Sequence, residues 1–128
     1  MKKLILLIAL IFIAFSANAD WKYITGAGEG KFYYEPSSIK KTKSFTKVWI
    51  LVDFTEPVSF RGITYLSSKS LWQLNCSDEE EKTTQSLAYS GHMGTGQLVD
   101  IRNDKMDWAS IVPHTNQELI FKLVCNKL

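Results

Sequence analysis

The strongest hydrophobic pattern in the chain covers residues 45–54, where apolar and aromatic side chains occupy almost every position. A period of two places Val48 and Ile50 on one face of a strand, with Trp49 and Leu51 on the other. An amphipathic helix is the competing interpretation, but the β-branched and aromatic residues favour a strand. Because both faces are apolar, we expect this strand to lie in the centre of a sheet and to be covered on both sides.

An antiparallel hairpin is predicted for residues 67–90. Trp72, Leu74 and Cys76 alternate with less apolar neighbours and therefore share one face, which we expect to be buried. A polar run over residues 77–82 then reverses the chain. A second run with strand composition follows and ends with two residues of one face, Leu87 and Tyr89.

Three shorter strands and several loops follow from alternation and from turn-forming residues. The glycine-rich segments 26–30 and 91–96 are predicted to be turns, because their spacing matches neither the dinucleotide-binding nor the phosphate-loop pattern. A loop is also expected after Pro57. The strands are predicted at residues 20–25, 31–35 and 97–102, the last strand of the chain, with a polar loop at 103–107.

The C-terminal segment is where a helix and a strand compete most closely. Thr115 is followed three residues later by Glu118, the spacing of a capping box at the start of a helix. The length of the segment is ordinary for a helix and long for an edge strand. We predict a helix that packs on the sheet through apolar residues at helical spacing, namely Leu119, Ile120, Leu123 and Val124.

The first nineteen residues are predicted to be a signal peptide and not part of the fold. Lys2 and Lys3 precede an apolar run over residues 4–15, and residues 17–19 (Ala-Asn-Ala) resemble a cleavage site. The apolar run is shorter than the ~20 residues that a membrane-spanning helix needs. No cysteine stands at the predicted cleavage site after this run to accept a lipid anchor. The sequence therefore predicts an exported protein without an integral membrane segment after cleavage.

Cleavage changes the charge balance of the chain. The whole sequence has 15 Lys plus Arg against 13 Asp plus Glu, and removing Lys2 and Lys3 leaves 13 against 13. A formally neutral domain does not favour a nucleic-acid partner, which selects for a basic surplus. The remaining 128 − 19 = 109 residues suit one domain, residues 20–128, with one core.

The mature chain contains two cysteines, Cys76 and Cys125. In an exported protein, two cysteines most simply form a disulfide with each other. The alternative is a reactive thiol or a metal-binding pair, but there is no nearby pair of histidines to complete a zinc site. We therefore predict that Cys125 ties the C-terminal helix to the hairpin that carries Cys76.

Few residues are candidates for catalysis or for metal binding. His92 and His114 are expected to be exposed loop histidines, and a metal or haem ligand is the alternative. The acidic run at residues 78–81 is expected to form a solvated turn, and a calcium site is the alternative. We accordingly predict no catalytic residues, no metal and no cofactor, and therefore a protein that is not an enzyme.

Two groups of side chains are candidates for a binding surface. A cluster of lysines is suited to an anionic partner such as a sulfated glycan or an acidic glycoprotein, unless it is a solvated basic loop: Lys40, Lys41, Lys43 and Lys47. An aromatic group on neighbouring strands is suited to a protein partner or a homodimer if it lies opposite the helix, and is core if the helix covers it: Tyr23, Tyr33, Tyr34 and Trp49.

Several short motifs, taken in order, resemble the surface-adhesin protein E family of Gram-negative bacteria. The resemblance extends over essentially all of the mature chain and rests on the order and spacing of its parts. These are Asp20-Trp21-Lys22-Tyr23-Ile24, Tyr34-Glu35-Pro36-Ser37-Ser38-Ile39, Lys47-Val48-Trp49, Cys76, Tyr89-Ser90-Gly91, Gly94-Thr95-Gly96, Trp108, Ile111-Val112-Pro113 and Cys125.

The resemblance implies an α+β domain, with a sheet of about six antiparallel strands partly covered by a disulfide-tied helix. It also implies non-enzymatic attachment to host proteins, and it transfers no catalytic residues. We therefore expect a binding module of the bacterial envelope, located in the periplasm or on the cell surface. The alternative function is that of a periplasmic small-ligand or haem-binding protein that uses His92, His114 and the aromatic residues.

Overall fold

The computed structural model of this protein describes residues 20–103 and 106–126, apart from the side chain of Ala27. The predicted signal peptide, residues 1–19, lies outside the described residues. None of the helices in the described part of the chain has the length and apolar character required to span a membrane.

The described residues form one antiparallel sheet of eight strands with an α-helix on one face, which confirms the predicted α+β architecture. The elements are β1 (Lys22–Ala27), β2 (Gly30–Tyr34), β3 (Lys40–Lys41), β4 (Thr46–Phe60), β5 (Ile63–Asn75), β6 (Glu80–Tyr89), β7 (Leu98–Arg102), β8 (Ala109–Ser110) and α1 (Asn116–Val124). Six strands lie in the order β1-β2-β4-β5-β6-β7, while β3 pairs with β4 and β8 pairs with β6.

The strand β4 lies in the middle of the sheet, as predicted, between β2 and β5. Val48 and Ile50 are buried on the face that carries the helix, and Leu51 is fully buried on the opposite face. The alternation that the sequence shows is therefore used on both sides of this strand.

The predicted loop after Pro57 is wrong, because β4 continues to Phe60. The pairing of β4 with β5 shifts its register between Asp53 and Val58, and Pro57 lies inside this irregular segment. A bulge tolerates a proline because the missing N–H is not needed for the ladder there. The strand ends in a two-residue turn, Arg61-Gly62, in which both residues have positive φ.

The predicted hairpin is formed by β5 and β6. Its reversal is shorter than predicted, because β6 already begins at Glu80. The Asn75 side chain stabilises the turn by accepting hydrogen bonds from the backbone N–H groups of Ser77 (3.1 Å) and Asp78 (3.0 Å). The glycine-rich turn predicted at residues 26–30 is also shorter than predicted, because β1 extends to Ala27 and β2 begins at Gly30.

The predicted helix is confirmed, and Thr115 caps it by accepting a hydrogen bond from the Glu118 N–H at 3.3 Å. Its predicted inner face is partly wrong, because Leu119 is 38% exposed and Phe121 is buried. Phe121 lies one turn before Cys125, on the side that the disulfide brings towards the sheet. The disulfide is therefore consistent with a helix that is turned about its axis, relative to the prediction, so that Phe121 and not Leu119 faces the sheet.

The predicted disulfide between Cys76 and Cys125 is present, with 5.7 Å between the two Cα atoms. It closes the edge of a core that lies between the helix and the sheet. The buried residues of this core are Val48, Ile50, Leu74, Ile120, Phe121 and Val124, with partly buried Ile24, Phe32, Tyr34, Ile39, Trp72 and Ile111 packed against them.

The strand at Leu98–Arg102 is not the last of the sheet, because β8 follows it. Ala109 and Ser110 pair with Glu81 and Glu80 at the start of β6. A two-residue strand has too few residues to show a periodic pattern, so the sequence does not reveal it. The pairing brings the chain back to the hairpin immediately before the helix begins.

Candidate binding face

The sheet has one face covered by the helix and an opposite face that we call the open face. Four residues that are successive cross-strand partners cross this open face near the β5–β6 turn: Lys40 on β3, Lys47 on β4, Gln73 on β5 and Lys82 on β6. We call Lys40, Lys47 and Lys82 the basic row. The sequence analysis included Lys40 and Lys47 but missed Lys82, which follows the acidic run in sequence and joins the row only through strand pairing.

Aromatic rings hold two lysines of the basic row. The Lys47 Nζ atom lies 5.6 Å from the centroid of the Phe45 ring, and the Lys82 Nζ atom lies 4.6 Å from that of Trp108. The two rings are themselves neighbours, 6.5 Å apart. Among the described residues, no lysine of the row forms an ion pair. The row therefore carries positive charge that aromatic contacts position without neutralising it.

The two other lysines of the predicted cluster lie outside the basic row. Lys41 pairs with Thr46, one residue further along β3 and therefore on the other face of the sheet. Lys43 is exposed in the turn between β3 and β4. Lys40 and Lys47 are direct cross-strand partners, an arrangement in which like charges repel. A bound anion would relieve this repulsion.

The predicted aromatic group is divided between the two faces. Tyr23 and Tyr33 are cross-strand partners with their rings 5.8 Å apart in an edge-to-face arrangement, and Tyr23 is 58% exposed. Tyr34, by contrast, packs against the core beneath the helix. Adjacent residues of a strand point to opposite faces, so Tyr33 and Tyr34 cannot contribute to one surface. Trp49 shares the open face with Tyr33.

The turn at residues 91–96 folds back over the open face. Buried Ser67 holds it, because its Oγ donates to the Gly91 carbonyl at 2.6 Å and accepts from the Gly94 N–H at 2.8 Å. One carboxylate oxygen of Asp53 accepts from the Met93 N–H at 2.9 Å and lies 3.0 Å from His92 Nδ1. This turn is the cover for the inner part of the open face.

His92 is exposed, as expected, but its ring has a partner in Asp53. His114 is exposed in the turn that precedes the helix. Over residues 20–103 and 106–126, no three histidine, cysteine or acidic side chains are grouped so that they could share a metal ion. The alternative of a metal site at His92 therefore has no ligand set in this part of the chain.

The acidic run at residues 78–81 is only partly the solvated turn that we expected. Asp78 and Glu79 are exposed, but Glu81 belongs to β6 and is opposite Leu74. One oxygen of its carboxyl group is buried without a hydrogen-bond partner. Burial raises the pKa of Glu81 above its usual value, because the charged form loses hydration.

We expect Glu81→Gln to stabilise the protein at neutral pH by up to about 1 kcal/mol, since a neutral side chain costs less to bury than a charged one. A carboxyl group with a raised folded-state pKa destabilises the fold above that pKa, and this cost is lost as the pH falls towards the unfolded value. The difference in Tm between variant and parent should therefore be largest near pH 7–8 and shrink towards pH 4.5.

Thermal unfolding of both proteins across this pH range measures the effect. Glu79→Gln is the matched control, since it removes the same charge from an exposed position two residues away. A constant difference between Glu81→Gln and the parent at all pH values would contradict the assignment.

The protein is thus a disulfide-tied antiparallel sheet in which the face opposite the helix holds lysines that form no ion pair with any described residue. The model of the family "Surface-adhesin protein E" matches residues 21–126 of this chain. The chain belongs to this family and is thereby an adhesin-type surface protein. None of the curated proteins matches the chain significantly.

Solved structures of Haemophilus influenzae protein E share this fold. Crystal form II has a TM-score of 0.66 at 13% sequence identity, covering 86% of this chain and 90% of that one. Another protein E structure has a TM-score of 0.62 at 16% identity, covering 86% and 89%. Protein E from a non-typeable strain has a TM-score of 0.58 at 16% identity, covering 81% and 75%. At these identities the likeness concerns the fold.

Proposed function

We propose that the protein is displayed on the bacterial surface and attaches to host extracellular proteins through the open face. The observation that carries the proposal is the basic row, in which three lysines from three strands lie in line without an ion pair among the described residues. Lys43 extends the positive charge beside the row, and the Tyr23–Tyr33 pair adds an exposed aromatic surface.

The spacing of the row selects the kind of segment that would bind. Neighbouring strands lie ~4.8 Å apart, so Lys47 and Lys82 stand roughly 10 Å from each other across β5. In an extended peptide, side chains of one face repeat every ~7 Å, and a flexible acidic segment of a few residues can therefore meet all three lysines. Such contacts accelerate association and weaken as salt screens them.

Charge reversal in the row tests this proposal. We expect Lys47→Glu combined with Lys82→Glu to weaken binding to purified extracellular-matrix and plasma glycoproteins about tenfold, mainly by lowering the association rate. Biolayer interferometry at low and high salt measures it. Lys22→Glu is the matched control, because Lys22 is exposed and pairs with Tyr34, whose side chain lies on the helix side of the sheet.

Binding that is unchanged by the double reversal, or that falls equally in the Lys22→Glu control, would exclude the basic row as the attachment surface. The location is tested independently by protease treatment of intact cells, with a periplasmic protein as the internal control. Digestion of the protein while the control survives is expected. Survival until the outer membrane is opened would place the protein in the periplasm and refute adhesion.

A further inference from the structure

The open face also contains a cleft with a volume of about 210 Å³. It lies beside the basic row, because Trp49 in its wall is two residues from Lys47 on the same face of β4. Three aromatic rings, one leucine and two oppositely charged side chains line it: Trp21, Trp49, Tyr89, Leu87, Glu35 and Lys69.

Hydrogen bonds of the backbone and of the Ser38 hydroxyl group hold one wall of the cleft in place. The Glu35 N–H donates to the Trp49 carbonyl at 3.2 Å, and the Trp49 N–H donates to Ser38 Oγ at 2.9 Å. Ser38 Oγ in turn donates to the Glu35 carbonyl at 2.7 Å. The turn that begins at Pro36 therefore forms hydrogen bonds with β4 just beyond the point where the pairing of β2 with β4 ends. These hydrogen bonds fix the position of Glu35 relative to Trp49.

The opposite wall positions the Lys69 ammonium group over aromatic rings. Its Nζ atom lies 4.9 Å from the centroid of the Tyr89 ring and 5.7 Å from that of Trp21. The stem of Lys69 lies against Gly94, where any Cβ atom would collide with it. Within residues 20–103 and 106–126, no hydrogen bond or ion pair engages the ammonium group. Its three N–H donors are therefore available to a ligand.

We propose that this cleft binds one neutral pyranose ring of a glycan. The C–H face of a sugar is apolar and matches an aromatic wall, and sugar hydroxyl groups both donate and accept hydrogen bonds. Hydroxyl oxygens of the sugar would accept hydrogen bonds from the Lys69 ammonium group, and hydroxyl groups would donate hydrogen bonds to the Glu35 carboxylate. The arrangement therefore uses both charged side chains. The opposite charges of Glu35 and Lys69 leave the cleft with no net charge to select an acidic sugar. The volume is below the ~300–1,000 Å³ of pockets for larger ligands, which limits the occupant to one ring.

The four tryptophans of the chain provide the test with its own internal controls. Trp21 and Trp49 line the cleft, whereas Trp72 packs against the core and Trp108 lies beside Lys82. The indole N–H signals of the ¹⁵N-labelled protein are followed during titration with methyl glycosides of glucose, galactose, mannose and N-acetylglucosamine. At least one of these should shift the Trp21 and Trp49 signals with a dissociation constant of ~1–10 mM, leaving Trp72 and Trp108 unmoved.

Substitutions assign the binding to the cleft. Lys69→Met retains the stem and removes the ammonium group, and we expect it to weaken binding at least tenfold. Glu35→Gln should also weaken binding, but less than Lys69→Met does. Lys122→Met is the control, because Lys122 is on the exposed side of α1 and pairs with Glu118. Unchanged backbone amide spectra for each variant exclude unfolding as the cause.

The proposal is overturned if none of the four glycosides shifts the two cleft indoles, if all four indoles shift together, or if Lys69→Met binds like the parent. Methyl glucuronide is included as the charged comparison, and a response to it alone would mean an anion site and would equally refute a neutral ring. These outcomes do not depend on host-protein attachment, since they concern a cleft that the Lys47→Glu and Lys82→Glu substitutions leave in place.

Discussion

Replacing Cys125 by serine is expected to lower the free energy of unfolding by about 4 kcal/mol under oxidising conditions. The disulfide closes a loop of 49 residues, and opening this loop restores entropy to the unfolded chain. In a domain of this size, that loss corresponds to a fall in Tm of roughly 15–25 °C. The variant also frees the C-terminal end of α1, whose buried side chains complete the core.

Thermal and urea unfolding with and without a reducing agent measures the effect. The parent in reducing agent should unfold like Cys125→Ser, and the variant itself should not respond to the reducing agent. Cys76→Ser combined with Cys125→Ser is the matched control, since removing the second thiol should change the midpoint little. Equal midpoints for parent and Cys125→Ser under oxidising conditions would contradict a stabilising role for the disulfide.

The parts of the fold that the sequence predicts are those whose signals are local. The alternation around Ile50 indicates the central strand, and the Thr115–Glu118 spacing indicates the start of the helix. The continuation of β4 past Pro57 and the pairing of β8 with Glu81 depend on partners that are distant in sequence. A bulge and a two-residue strand have no periodicity of their own, so no local pattern predicts them.

The same distinction separates the predicted site residues from the missed ones. The sequence shows that Lys40 and Lys47 are close, because only a short turn separates them. Lys82 joins them through the register of two strand pairs, which alternation does not determine. The cleft has a similar origin, since Glu35 directly follows β2 and Lys69 lies on β5. Alternation assigns each of them to a face, but only the register makes them neighbours.

The orientation of α1 about its axis predicts that truncating two neighbouring residues of the helix lowers the free energy of unfolding by very different amounts. We expect Ile120→Ala to destabilise the protein by about 3 kcal/mol, because Ile120 is fully buried and its truncation leaves a cavity between helix and sheet. Leu119→Ala removes a comparable side chain that is 38% exposed, and it should cost less than about 1 kcal/mol.

Urea unfolding of the two variants under identical oxidising conditions compares them directly. Similar m-values would show that both variants expose the same amount of buried surface on unfolding. The two substitutions have similar effects on helix propensity, so the difference between them reports burial. Sequence periodicity alone places Leu119 and Ile120 together on the inner face and therefore predicts similar costs for both. A ratio near one would favour that orientation, whereas a cost at least twofold larger for Ile120→Ala supports the helix rotation in which Phe121 and Val124 complete the core.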